Sequence, residues 1–201
     1  MNGVMSDECT RLPAPPGPLY GVRLRRWRAD DEGDLAAVLA GVDDAEFRRW
    51  NTPLTAIEGR AGAERYLRRR VETWAKGEAA SFCVTDEDSG APLGQVGLQS
   101  INWALSRASV GYWVLPEARG RGVATRALDA MARWAVTDVG LHRLELGHAV
   151  GHGASCTVAE RCGFRYEGTT RGSMFEAGRY DAFRDAHLHA RLATDEVPAP
   201  V

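Results

Sequence analysis

The chain has 201 residues, 44% hydrophobic and 26% charged, with a formal net charge of −2. That length supports one domain with a sizeable core, and the charge balance gives no bulk attraction to nucleic acid or an anionic membrane. There is no basic-then-apolar leader and no apolar run of membrane-spanning length, so a soluble, cytoplasmic protein with neither partner is expected. The four cysteines, Cys9, Cys83, Cys156 and Cys162, show no Cys-x-x-Cys and no histidine spacing suited to zinc, so free thiols and no metal are expected.

Residues 1–19 end in a proline-rich run and read as a flexible lead to one domain over 20–193, with a flexible tail over 194–201. Tyr20 to Trp27 alternates as a first strand. The acidic run from Ala29 opens a helix through Leu35, Val38 and Leu39, where negative charge suits the dipole. Asp43 to Trp50 is a second short helix. After a turn at Asn51 to Thr55, Thr55 with Glu58 reads as a capping box for a longer helix carrying Tyr66, Leu67, Val71 and Trp74.

Ala80 to Thr85, Leu93 to Ile101 and Ala108 to Leu115 form a strand meander. A helix runs from Ala124 to about Val139, and Arg143 to His148 alternates as a strand. Ser155 to Cys162 is a short helix ended by Gly163. Phe164 to Gly168 is a strand, Gly172 to Tyr180 a hairpin region and Ala182 to Leu192 the last strand. Interleaved in this order, the elements give an α+β fold with a mixed, mostly antiparallel sheet.

The chain is organised around Val110 to Leu128. A strand ends at Pro116, passes through Arg119-Gly-Arg-Gly122 and enters a helix. Glycines permit backbone geometry that a Cβ obstructs, and the first N–H groups of a helix have no internal partner, so this is an anion cradle. Thr125 stands at the third glycine position of a dinucleotide fingerprint, and no lysine completes a P-loop. A glycine turn before an ordinary amphipathic helix stays open as the alternative.

Arg119-x-x-Gly122-x-Ala124 after Gly-Tyr-Trp-Val-Leu-Pro-Glu resembles the acetyl-CoA pyrophosphate loop of the GNAT (GCN5-related N-acetyltransferase) superfamily, whose pattern is Gln/Arg-x-x-Gly-x-Gly/Ala. Ala154 to Gly168 resembles that family's later helix and Gly-Phe turn. The span from Tyr20 to Ala193 is similar to the Rim subgroup, which acetylates ribosomal-protein N-termini. The resemblance implies a GNAT-like sheet with a splayed strand pair and acetyl-CoA as cosubstrate. It places the cosubstrate on Val114, Leu115, Arg119, Gly120, Arg121, Gly122, Val123, Ala124, Thr125, His152 and Ser155, with Arg119 and Arg121 as solvent-facing helpers. The acceptor is an amine, foremost a protein N-terminus. A small amine such as an antibiotic, polyamine or amino acid is the second reading, and a non-catalytic acyl-CoA-binding module the third. Relatives are monomers or homodimers.

Acetyl transfer needs a polarised carbonyl, a neutral amine and a proton for the thiolate. A backbone N–H near Leu115 is expected at the thioester oxygen. Rim relatives often carry Glu at Ser109, so the base is sought among Glu46, Glu145, His148 and Glu176, with His148 first. Ala159 stands where many relatives carry an acid Tyr, and His152 replaces the Asn of the Rim Asn-x-x-Ser pattern. Ser155 matches its Ser, either facing the sulfur or capping the helix. Trp50, Asn51, Trp103, Phe175 and Tyr180 are expected as acceptor walls.

Overall fold

The computed structural model describes residues 12–196, 198 and 199. Residues 1–11, including Cys9, lie outside it. The elements in order are β1 (Val22–Arg26), α1 (Glu32–Asp43), α2 (Ala45–Trp50), α3 (Gly59–Ala75), β2 (Ala80–Asp86), β3 (Pro92–Asn102), β4 (Arg107–Val114), α4 (Val123–Thr137), β5 (Arg143–Ala149), α5 (Gly153–Arg161), β6 (Arg165–Glu176) and β7 (Arg179–Leu192), with one 3-10 turn at Pro116–Ala118. The seven strands form one sheet, β1-β2-β3-β4-β5-β7-β6. Every neighbouring pair is antiparallel except β4 and β5. Parallel neighbours need a crossover, and α4 supplies it.

Strand alternation divides the core between the two faces of the sheet. Phe82 and Val84 of β2 join the large cluster with Leu128, Met131 and Trp134 of α4 and Phe164, while Cys83 between them joins Leu35, Val38, Ala63 and Leu67 of α1 and α3. Asp31 and Asp44 start α1 and α2 by accepting from the N–H groups of Asp34 (3.0 Å) and Phe47 (2.8 Å). Among the described residues no helix is long and apolar enough to cross a membrane.

Three expectations are corrected. α3 begins at Gly59, and its N-cap Glu58 makes no side-chain cap bond, so the Thr55 box does not form. Ile57, before the helix, packs against the α1–α3 cluster. The strand after Phe164 and the separate hairpin are one long β6–β7 hairpin, irregular in register between Thr170 and Met174. The Asp185 carboxylate accepts from the Gly172 N–H at 2.8 Å there, at a residue whose φ of +58° suits glycine. The proline-rich segment is anchored at two points: Leu12 is buried, and Trp134 Nε1–H donates to the Ala14 carbonyl at 2.8 Å.

Candidate active site

β4 and β5 pair from Arg107↔Arg143 to Val110↔Leu146 and no further. β4 then continues to Val114 on β3 alone, and β5 to Ala149 on β7. The sheet is therefore split at its centre, with one edge of Gly111–Val114 unpaired. Leu115 is not the expected donor to this gap. Its N–H donates to the Leu93 carbonyl on β3 at 2.9 Å, and its side chain is core. Strand alternation turns the next amide back, Val114, to the β5 side.

At the mouth of the split, Gly120 and Gly122 both have φ of +72°, a left-handed conformation costly for other residues. Gly122 is the N-cap of α4 without a side-chain cap, and its carbonyl accepts from the Arg126 N–H at 3.1 Å. The N–H groups of Val123, Ala124 and Thr125 precede that first helical bond and suit an anion. The Arg121 guanidinium is half exposed beside them, 3.9 Å from Asp86.

Arg119 is exposed, as expected, and is also a strut. Its Nε donates to the Val114 carbonyl at 3.2 Å, and its guanidinium pairs with Asp44, the N-cap of α2. That guanidinium holds the Asp44 carboxyl below its usual range. Replacing Asp44 with Ala should cost about 1 kcal/mol near neutral pH through the lost cap, measured by urea unfolding. Asp44→Asn keeps a cap and loses only the charge. A carboxylate with a depressed folded pKa stabilises above the unfolded value of about 3.9 and loses that contribution as pH falls through the folded one. The gap between parent and Asn variant should therefore close in acid; an equal gap at both pH values contradicts the pairing.

Deeper in the split, the Tyr112 and Ser155 hydroxyls are 2.7 Å apart. Ser155 is buried, and burial pushes Tyr112 up to about 12 despite the Ser155 bond. The sequence reading missed Tyr112, because strand aromatics read as core. Ser155 is not the helix cap, since the N-cap of α5 is His152. The His152 ring makes no cap bond and stacks on Trp50, centroids 4.5 Å apart and planes 1° apart. Burial, then His148 nearby, lowers its pKa to about 4.

His148 is not placed as a base toward the gap. It is buried, with Nδ1 at the Ala149 carbonyl (3.1 Å) and Nε2 facing His189 Nε2 (3.3 Å) and Cys156 Sγ (3.4 Å). Glu46 accepts from Trp50 Nε1–H at 2.6 Å, Glu145 pairs with Arg143, and Glu176 ends β6. Ser109 is the register partner of Glu145. Trp50 and Tyr180 each lie where the β6–β7 hairpin meets the end of α2: Arg184 donates to the Arg49 and Trp50 carbonyls and the Tyr180 hydroxyl to the Pro53 carbonyl. Phe175 packs on Tyr180 there, at 5.3 Å between centroids. Asn51 is spent as the C-cap of α2, both its amides bonding the Phe47 carbonyl. Trp103 is elsewhere: it follows β3 at the Arg107 end of β4 and donates to the Gly77 carbonyl at 2.9 Å.

A strand edge opened at the sheet centre, an uncapped glycine-led helix start at its mouth and two hydrogen-bonded hydroxyls are the features that the fold brings together. The model of the Acetyltransferase (GNAT) domain matches residues 22–165, and the chain belongs to that family. The ribosomal-protein-serine acetyltransferase of Escherichia coli (strain K12) is 26% identical over 136 residues, 68% of this chain and 73% of that one. The spermidine N(1)-acetyltransferase of Vibrio cholerae is 31% identical over 107 residues, 53% of this chain and 61% of that one. The chain spans between 50% and 73% of the length of such curated relatives. Mycobacterium smegmatis RimJ in complex with CoA-disulfide superposes with a TM-score of 0.77 at 26% identity, covering 88% of this chain and 85% of that one.

Proposed function

We propose that this chain is an acetyl-CoA-dependent N-acetyltransferase acting on a primary amine, foremost the α-amine of a peptide N-terminus. The observation that carries the reading is the split sheet with the glycine cradle at its mouth and the Tyr112–Ser155 pair inside. The residues fit the cosubstrate. Val123, Ala124 and Thr125 N–H groups and the Arg121 guanidinium suit a pyrophosphate, and the free edge of β4 suits an extended amide-bearing arm. Acetyl-CoA supplies the activated acyl group. The Val114 N–H is the donor for the carbonyl oxygen, where charge develops during attack. The Ser155 hydroxyl holds a proton for the departing sulfur, and Tyr112 orients it. Cys156 is not enlisted as an acyl carrier; the neutral amine attacks directly, its C–N bond forms as the C–S bond breaks, and the proton that the amine loses passes through solvent to restore the one that Ser155 gives to sulfur.

Electrostatics favour a peptide over a polyamine. The Arg49 guanidinium lies 4.8 Å and that of Arg184 5.8 Å from the Trp50 ring centre on the acceptor side. Two guanidinium groups on that ring oppose a polycation more than a peptide with one amine. An α-amine also has a reference pKa of about 8, against about 10.4 for an alkyl amine such as lysine's. With His148, Glu46 and Glu145 engaged by the protein, an acceptor close to neutral at physiological pH suits the site better. The test is thiol release from acetyl-CoA against free-N-terminus peptides varying in first residue, alongside spermidine. The peptide kcat/KM should exceed that of spermidine by about tenfold or more. Preference for spermidine overturns the acceptor assignment. Acetyl-CoA binding without release against any amine favours a binding module.

A further inference from the structure

Three of the chain's five histidines and one cysteine converge at a point the proposed transfer does not use. His148 lies on β5, His187 and His189 on β7 and Cys156 in the first turns of α5. The β5–β7 register makes His148↔His187 and Leu146↔His189 direct partners. Residues 187 and 189 share one face of their strand by the two-residue repeat. That face is turned to α5, since Cys156 Sγ reaches both His148 Nε2 and His187 Nδ1 at 3.4 Å. One ligand atom from each residue lies within 4.8 Å of all the others.

Three of the six ligand separations match a coordination shell, and the others lie within 4.8 Å and close on binding. Zinc–nitrogen bonds of about 2.0–2.1 Å and a zinc–sulfur bond of about 2.3 Å give tetrahedral edges of about 3.3–3.4 Å between nitrogens and about 3.5 Å between sulfur and nitrogen. The His148–His189 nitrogens are 3.3 Å apart, and the two sulfur–nitrogen separations are 3.4 Å. The tautomer agrees as well. A carbonyl only accepts, so the contact of His148 Nδ1 with the Ala149 carbonyl at 3.1 Å puts the proton on Nδ1 and leaves the Nε2 lone pair facing the cluster. His189 is 1% exposed, and its Nε2 faces into the cluster, 3.3 Å from His148 Nε2. The Tyr166 ring packs edge-on against His187 and His189 from the side.

The geometry points to a tetrahedral site of one cysteine and three histidines for a divalent transition metal, zinc by ligand type, formed by His148, Cys156, His187 and His189. Four protein ligands close the shell, which makes the site structural and leaves no open position for chemistry. On binding, the Cys156 thiol gives its proton to solvent and coordinates as thiolate, while the three imidazoles bind through lone pairs. The ion joins α5 to β5 and β7. Ser155 precedes one ligand in the chain, and the His152 ring is 6.0 Å from the His148 ring, so the ion also fixes the inner wall of the split.

The test uses untagged full-length protein purified without chelator. Zinc by mass spectrometry should approach one ion per chain. Stripping with a chelator should lower Tm, and zinc should restore it. Cobalt loaded into stripped protein should show tetrahedral ligand-field bands and a thiolate-to-cobalt charge-transfer band. His187→Ala, at a half-buried position, and Cys156→Ala should each weaken cobalt binding by about 100-fold or more, above the usual effect of an outer-shell partner. Cys156→Ala should also remove the charge-transfer band. Circular dichroism of the stripped variants guards against misfolding, and Cys162→Ala, outside the cluster, should keep the band. Substoichiometric zinc with no cobalt spectrum in the parent overturns the site, as does a spectrum that survives both ligand variants. None of these readouts depends on acyl transfer, so the site stands or falls separately from the proposed function.

Discussion

Replacing Gly122 with Asp should weaken acetyl-CoA binding by about 100-fold or more, equivalent to about 3 kcal/mol. Two costs combine. Gly122 has φ of +72°, and a side chain there adds about 1–2 kcal/mol of left-handed strain, less for Asp than for most residues. The new carboxylate also stands at the start of α4, among the N–H groups of Val123, Ala124 and Thr125 proposed to face the pyrophosphate. Like charge at that point removes the attraction and adds repulsion. A Cβ at Gly122 meets only Arg126 Nε, at 3.9 Å, so packing is spared and the fold should survive. Gly122→Ala carries the backbone cost alone and should lose about tenfold. Calorimetric titration with acetyl-CoA gives both values, and the rise in Tm with ligand is an independent readout. An Asp variant that binds within about threefold of the parent would place the phosphates elsewhere.

The cradle was legible because everything that makes it is local. Pro116 ends a strand, Gly120 and Gly122 turn the chain, and the apolar period of α4 begins at once. The Ser155 block was legible for the same reason. What escaped depends on partners far along the chain. Arg119 read only as a solvent helper because its acceptor, Asp44, is 75 residues away. Leu115 read as the donor because only the β3–β4 pairing shows that its N–H belongs to Leu93. Trp103 is as aromatic as Trp50, and nothing in its neighbours reveals which end of β4 it occupies. His148 read as a base because its companions, His187 and His189, come from β7, and cysteine spacings along one segment do not detect ligands gathered by sheet register.

Ser155→Ala should lower kcat by about 100-fold, within the range for a positioned proton donor, with the acetyl-CoA KM nearly unchanged. Tyr112→Phe should have a comparable effect, and the double variant should resemble either single one. The argument rests on the hydroxyl pair. At 2.7 Å, with Ser155 buried, the two hydroxyls are hydrogen-bonded and either can donate to the other. Tyr112, pushed up to about 12, stays protonated at neutral pH and can donate to Ser155. Ser155 can then give its own proton outward as the carbon–sulfur bond breaks. Removing either hydroxyl ends the relay, and groups that act as a unit show strongly non-additive losses. The substitutions delete one oxygen each and leave Cys156, His152 and the cradle in place, so acetyl-CoA affinity by calorimetry should stay within about threefold of the parent. Losses that multiply in the double variant would mean independent roles. A Ser155→Ala enzyme at full kcat would show that the sulfur takes its proton from solvent, and the pair would then serve only to hold α5 against β4.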